Sequence, residues 1–290
     1  MEKSITRRDF MRATAGFAVA AAVGLKIEPK KKTTVVLIRD HDVLDASSKA
    51  NAKTIQQMLD SAVMVLTGEN DPVRAFQRLI TPEDIVGIKS NAWFYLPTPF
   101  ELESAVERRV LDAGVKKENI SIDDRGVLEN PVFQRATAII NVRPLRTHYW
   151  SGIGGCIKNL IMFAPSPSKY HPDSCADLAL VWKLPEVKDK IRLNILSALT
   201  PQFHGRGPHH YDRRYVWNYK GIIAGQDPVA VDAVGLEIIK AKRKEYFGHE
   251  IKFETIPKHI RTADVKHNLG TSNLDQIELI KLGWTKDSLI

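Results

Sequence analysis

Cysteine is nearly missing from this chain. Cys156 and Cys175 are the only two in 290 residues. They cannot by themselves supply the ligands of a four-cysteine iron–sulfur cluster or of an all-cysteine zinc site. Two readings stay open for them: a disulfide closing a loop of about 20 residues, or separate buried thiols. A membrane-spanning run is not evident either. The apolar stretch Ala13–Leu25 is thirteen residues long, short of the roughly 20 that cross a bilayer. There is no internal repeat and no low-complexity tract. "GIGGCIKN" (Gly152–Asn159) lacks both the Gly-Lys-Ser/Thr ending of a Walker loop and the Gly-x-Gly-x-x-Gly spacing of a dinucleotide site. No arrangement specifies a covalent nucleophile.

What is present is ordinary for a globular protein, 43% hydrophobic and 26% charged, and the chain is long enough for one large domain. A formal net charge of +8 points to anionic partners. At the N-terminus, "TRRDFMR" sets Arg7 and Arg8 ahead of the apolar run and the small residues Ala20–Ala22. This is similar to a twin-arginine (Tat) signal, which is read by the Tat export machinery. The expected organisation is a Tat-type signal peptide over 1–25, a basic linker over 26–32 and a folded domain over 33–290. The expected location is periplasmic or otherwise extracytoplasmic, with a membrane tether if the signal stays uncleaved. Nucleic acid is not an expected partner there.

Apolar runs at 33–39, 84–91, 119–124, 136–142 and 191–199 read as strands. Helical spacing covers 54–66, 100–113 and a long segment from Pro228, for which Asp227 is the N-cap. "TSNLDQIELIKLG" reads as a last helix, capped by Ser272 and stopped at Gly283. Tyr215, Trp217 and Tyr219 alternate as on a strand, either as a stacking platform or as core packing. Continuous apolar strands separated by helices imply an α/β fold: a mostly parallel sheet with helices on both faces and Rossmann-like layering, in a single large domain.

In such sheets, ligands bind beyond the carboxyl ends of the strands. Those ends carry Lys89 and Asn91, then Asp123, Asp124 and Arg125, then Arg143, Arg146 and His148. The glycines at 152–155 let the backbone turn closely around a ligand. A helix starting near Cys156 would leave free N–H groups beside Lys158 and Asn159. In this reading Lys89, Arg143, Arg146 and Lys158 neutralise an anionic small molecule or cofactor, and Asn91 and Asn159 orient it. His148 and His171 are proton donors or, with Asp177, ligands for a divalent metal. His204, His209 and His210, with Arg206, Arg213 and Arg214, suggest either a solvated loop or one covering the ligand. Asp232 lies on an apolar helix and needs a partner, either in a buried ion pair with a nearby arginine or as a site carboxylate.

The motifs "IVGIKSN", "IINVRPLRTH", "GGCIKNL", "KYHPDSCADLA", "GRGP" and "GQDPVAVDAVGLEII" together resemble the family called domain of unknown function 362, in its exported branch. The resemblance runs from about Val35 to the C-terminus. The motif positions are Lys89, Asn91, His148, Lys158, Asn159, His171, Asp177, Asp227 and Asp232. Some relatives carry ferredoxin-like cysteine clusters, which implies a redox protein partner, although this chain has no such module. One departure is Ser197, where relatives usually show an aspartate. The resulting expectation is an exported protein that binds an anionic ligand or cofactor, as a cofactor- or metal-dependent enzyme linked to a redox system. The alternative is a non-catalytic ligand carrier or assembly protein of the cell envelope.

Overall fold

The computed structural model describes residues 32–290. The signal-like segment 1–25 and all of the basic linker except Lys32 lie outside the described residues. The strands are β1 (Thr33–Arg39), β2 (Val86–Lys89), β3 (Ile120–Asp123), β4 (Ala138–His148), β5 (Gly152–Gly154), β6 (Ile191–Gln202), β7 (Gly221–Gly225) and β8 (Ile277–Gly283). The principal helices are α1 (Ala52–Thr67), α2 (Pro72–Gln77), α3 (Phe100–Asp112), α4 (Pro131–Gln134), α5 (Cys156–Asn159), α6 (Pro228–Phe247) and α7 (Lys258–Val265).

All strands join one sheet in the order β3-β2-β4-β6-β7-β1-β8, with β5 paired to β4 alone. β3, β2, β4 and β6 are mutually parallel, β1 is parallel to β8, and β7 runs antiparallel between β6 and β1. Two apolar layers result from the period-2 alternation of side chains. Val36, Ile38, Val86, Ile88, Ile140 and Val142 pack under α1–α3. Val35, Leu37, Ile139, Leu145, Leu196 and Ile223 pack on the other face, with α5, α6 and α7. The result is a mostly parallel α/β sheet in one domain. Among the described residues no helix is long and apolar enough to cross a membrane.

Two segments differ from the sequence expectation. Residues 277–283 form edge strand β8, not a helix, in register with β1 through Val35↔Leu279. Its apolar residues serve both layers, Ile277 and Leu279 on one side and Ile280 and Leu282 on the other. That division erases the simple in–out alternation and leaves an apparent helical spacing. Tyr215–Tyr219 is not a strand either; it has a single 3-10 turn, Arg213–Tyr215, and one isolated bridge, Gln202↔Val216. Its aromatics pack on Phe203, with centroids 5.6 Å away for Tyr215 and 5.5 Å for Trp217, so they are packing groups.

Asp227 starts α6 as the sequence indicates. One carboxylate oxygen accepts from Val229 N (2.8 Å) and Ala230 N (3.0 Å), and the other accepts from Thr271 N (2.9 Å). The residue therefore caps a helix and ties down a distant loop. Asp227→Ala should cost about 1–2 kcal/mol, read as a melting temperature lower by several degrees. Asp227→Asn, which keeps an acceptor, should lose less. An unchanged melting temperature in the alanine variant would show that this cap is dispensable.

Candidate functional site

β4 is buried along its whole length, yet it carries Asn141, Arg143, Arg146 and His148. On a regular strand Arg143 and Arg146, three apart, would point to opposite faces. Pro144, between them, cannot donate to a ladder. The β4–β6 register slips between Pro144 and Arg146, an irregularity of the kind that re-aims side chains beside functional sites. Both arginines consequently line one cleft of about 390 Å3, together with Asn91, Asp124, Arg125, His148, Lys158, Asn159 and His171. Trp93, Trp150, Ile161, Met162 and Pro167 supply its apolar lining. Ser197 is the register partner of Pro144.

The glycine segment is held from outside the sheet. The Asp232 carboxylate on α6 accepts from Cys156 N (2.6 Å) and Ile157 N (3.0 Å). A Cβ on Gly155 would lie 2.3 Å from Asp232 Oδ1, and one on Gly154 would lie 2.7 Å from Arg143 Nη2. These are positions where only glycine fits without displacement. Two expectations are corrected here. The first two N–H groups of α5, those of Cys156 and Ile157, are engaged by Asp232 and are not free for an anion. Asp232 takes backbone amides as partners, in place of an arginine ion pair. Burial pushes Asp232 up to about 7, against the pull of those amides and of Arg143.

A relay of amide side chains fixes the end of α5. Asn159 Nδ2 lies within hydrogen-bond distance of Asn141 Oδ1 (2.8 Å), Lys89 O (3.1 Å) and Val142 O (3.1 Å). Asn141 Nδ2 donates to Cys156 O (3.0 Å) and Asn194 Oδ1 (2.9 Å), and Asn194 Nδ2 donates to Gln226 O (3.0 Å). Asn159 thus ties β2, β4 and α5 together at the cleft floor. Sequence reasoning missed Asn141 and Asn194; the available signal was a lone amide inside each of two otherwise apolar strand runs.

The charges are unevenly matched. Lys89 is fully buried and donates to Asp124 (2.6 Å) and to Ser90 O (2.7 Å). It lies behind the cleft lining and neutralises the lining carboxylate. Burial pulls Lys89 down to about 8 against the Asp124 charge. Burial also pushes Asp124 upward, but Lys89, the Ala92 N–H and Arg143 together hold it below its ordinary value. Arg146 donates to Asn91 Oδ1 (2.7 Å) and the Leu96 carbonyl, so its partners are neutral. Arg143 is 4% exposed. Its guanidinium has no carboxylate within salt-bridge distance among the described residues, and its Nε has no hydrogen-bond partner. Lys158, 3% exposed, contacts the Cys175 thiol (3.8 Å) and, at 5.9 Å, the Trp150 ring. Burial pulls Lys158 down to about 8; Cys175 opposes this and Arg143 reinforces it.

His148 Nδ1 accepts from Trp150 N (3.2 Å), so a neutral His148 carries its proton on Nε2. His171 stacks on Trp150, with centroids 4.1 Å apart and planes at 22°. Burial, then the Lys158 charge, lowers His171 to about 4, leaving a neutral imidazole at pH 7. Just beyond it, Asp173, Ser174 and Cys175 all have positive φ (50°, 59° and 61°), a strained conformation for residues other than glycine.

Asp177 is not with the two histidines; it accepts from Lys266 Nζ (2.7 Å) and makes a 2.7 Å contact with His267 Nε2. Among the described residues no three metal-ligating side chains stand together, so His148, His171 and Asp177 are not assembled as a metal set. Cys156 and Cys175 are separate, buried free thiols. The 204–214 loop approaches the site through Tyr211, stacked on Tyr95 at 4.7 Å, and Arg206, 5.1 Å from the Tyr149 ring.

Residues 114–237 match the model of the family described as domain of unknown function (DUF362), which supports the resemblance drawn from the motifs. The matched region holds most of the cleft, from Asp124 through His171, and Asp232; β2 with Lys89 and Asn91 precedes it. No curated protein and no solved structure matches the chain.

The Asp232 clamp gives a pH signature. Unfolded, this carboxyl titrates near the ordinary value of about 3.9; folded, it titrates at about 7. Between those values the folded state holds the extra proton, so the Asp232 contribution to stability is full below about pH 4 and is lost as pH rises through 7. Asp232→Asn should flatten that slope in urea melts. It should also cost about 1–3 kcal/mol at pH 5, because one amide loses its acceptor. An identical slope in both proteins would remove Asp232 as its source.

Proposed function

We propose that this chain binds a phosphate-type anion in the cleft between the carboxyl ends of β2–β4 and the Gly152–Asn159 segment. The observation that carries this reading is the pair Arg143 and Lys158, both buried and both without a carboxylate partner among the described residues. An arginine cannot shed its proton in a protein, and an uncompensated buried charge costs several kcal/mol. A bound anion removes that cost. Arg125 and Arg146 line the same cleft, while its carboxylate, Asp124, is already matched by Lys89. With Arg146, whose partners are neutral, three buried cations of the cleft have no carboxylate partner, which suits a dianionic phosphate better than a monocarboxylate. His148 and His171 stand beside the bound group as a proton donor and a neutral acceptor. The Arg7-Arg8 leader supports action outside the cytoplasm.

Calorimetric titration of inorganic phosphate at pH 7 should show binding, and Lys158→Met should weaken it tenfold or more with little loss of thermal stability. Because Lys158 loses its proton near pH 8, affinity should fall as pH rises through that value, and binding near pH 8 should take up a proton. Lack of binding by the unaltered protein would sink the proposal. Replacing Arg7 and Arg8 by lysine should hold the protein in the cytoplasm; undiminished export would refute the twin-arginine assignment.

A further inference from the structure

The anion-binding cleft is larger and more apolar than an inorganic anion requires. Its volume of about 390 Å3 falls in the range of sites that enclose small organic molecules. Arg143 and Lys158 are in its lining, and so are the apolar groups Trp150, Ile161, Met162 and Pro167. The Trp150 indole is 39% exposed. The His171 ring is stacked on it, with centroids 4.1 Å apart and planes at 22°, so the two rings form a short aromatic stack in the wall. Burial and Lys158 keep that imidazole neutral, so the pair offers an uncharged surface next to the charged one. Trp93, with the Arg125 guanidinium 4.9 Å from its ring centroid, lines both this cleft and an adjoining one. The second cleft is edged by Phe94, 85% exposed, and Tyr95.

We infer that the ligand is a phosphate monoester whose organic part is a flat, apolar ring system: the phosphate meets Arg143 and Lys158, and the ring lies along the Trp150–His171 wall. This rests on the anion-binding reading and adds the chemical class of the ligand's body. Size alone would admit any apolar group. The stacked indole and imidazole favour a planar one, because aromatic pairs gain attraction beyond the area they bury. A ring system longer than the cleft would pass Trp93 toward Phe94 and Tyr95.

The test titrates the full chain calorimetrically with inorganic phosphate, cyclohexyl phosphate and phenyl phosphate, which add first an apolar ring and then its flatness. The expected order is phenyl phosphate tightest, by roughly three- to tenfold over cyclohexyl phosphate, and inorganic phosphate weakest. In Trp150→Leu the phenyl and cyclohexyl esters should bind alike; the ratio in the unaltered protein decides the matter even if that variant fails to fold. Equal affinity for the two esters in the unaltered protein would overturn the planar body. Equal affinity for all three would overturn any organic body while leaving the anion reading intact. Binding of none would overturn both.

Discussion

The grip of the Asp232 carboxylate on the amides of Cys156 and Ile157 is the constraint on which the rest of the site depends. It joins α6, the longest helix described, to a four-residue helix too short to hold itself in place. Gly155 permits the approach, since any side chain there would meet the carboxylate. With this contact made, Lys158 and Asn159 follow on α5. The cation then faces Cys175, and the amide reaches the carbonyls at the ends of β2 and β4. The resting arrangement withholds the first two backbone donors of α5 from any ligand. In the proposed anion-binding reading, recognition falls to side chains, chiefly Arg143 and Lys158, both already desolvated. That desolvation is a standing cost, met by the packing of two apolar layers around a long, fully buried central strand.

Much of this was legible in the primary sequence, and the failures have physical causes. Continuous apolar runs marked β1, β2, β3, β4 and β6 because strands covered on both faces need no alternation. The cap at Asp227 announced α6. The strand-end rule gathered Asn91, Arg143, Arg146 and His148, and they do line one cleft with Lys158, Asn159 and His171, although Arg143, Arg146 and His148 lie within β4, which continues past Val142 to His148. The slip at Pro144 was not foreseeable: periodicity alone would have separated the two arginines. β8 was misread because an edge strand that serves both layers has no clean pattern. Asp177 was grouped with the histidines by nearness in sequence, but the partners that fix it, Lys266 and His267, lie about 90 residues further on. The Asp232 contact, between positions 76 residues apart in the chain, likewise left only an unexplained carboxylate on an apolar helix.

The placement of β1 has a bearing on how the chain is made. Among the described residues its sheet neighbours are β7 and β8, and Arg39 pairs with Gly283, 244 residues later (283 − 39). At synthesis rates of about 5–20 residues per second, roughly 10–50 s separate the emergence of those two residues from the ribosome. For most of that interval the first strand, "TTVVLIR", has neither of its native partners. It is a short, apolar, β-branched segment of the kind prone to wrong pairing when left uncovered. Sheet completion is therefore among the last events of biogenesis, and a chaperone that shields the early strand would act on the nascent chain well before the cleft exists.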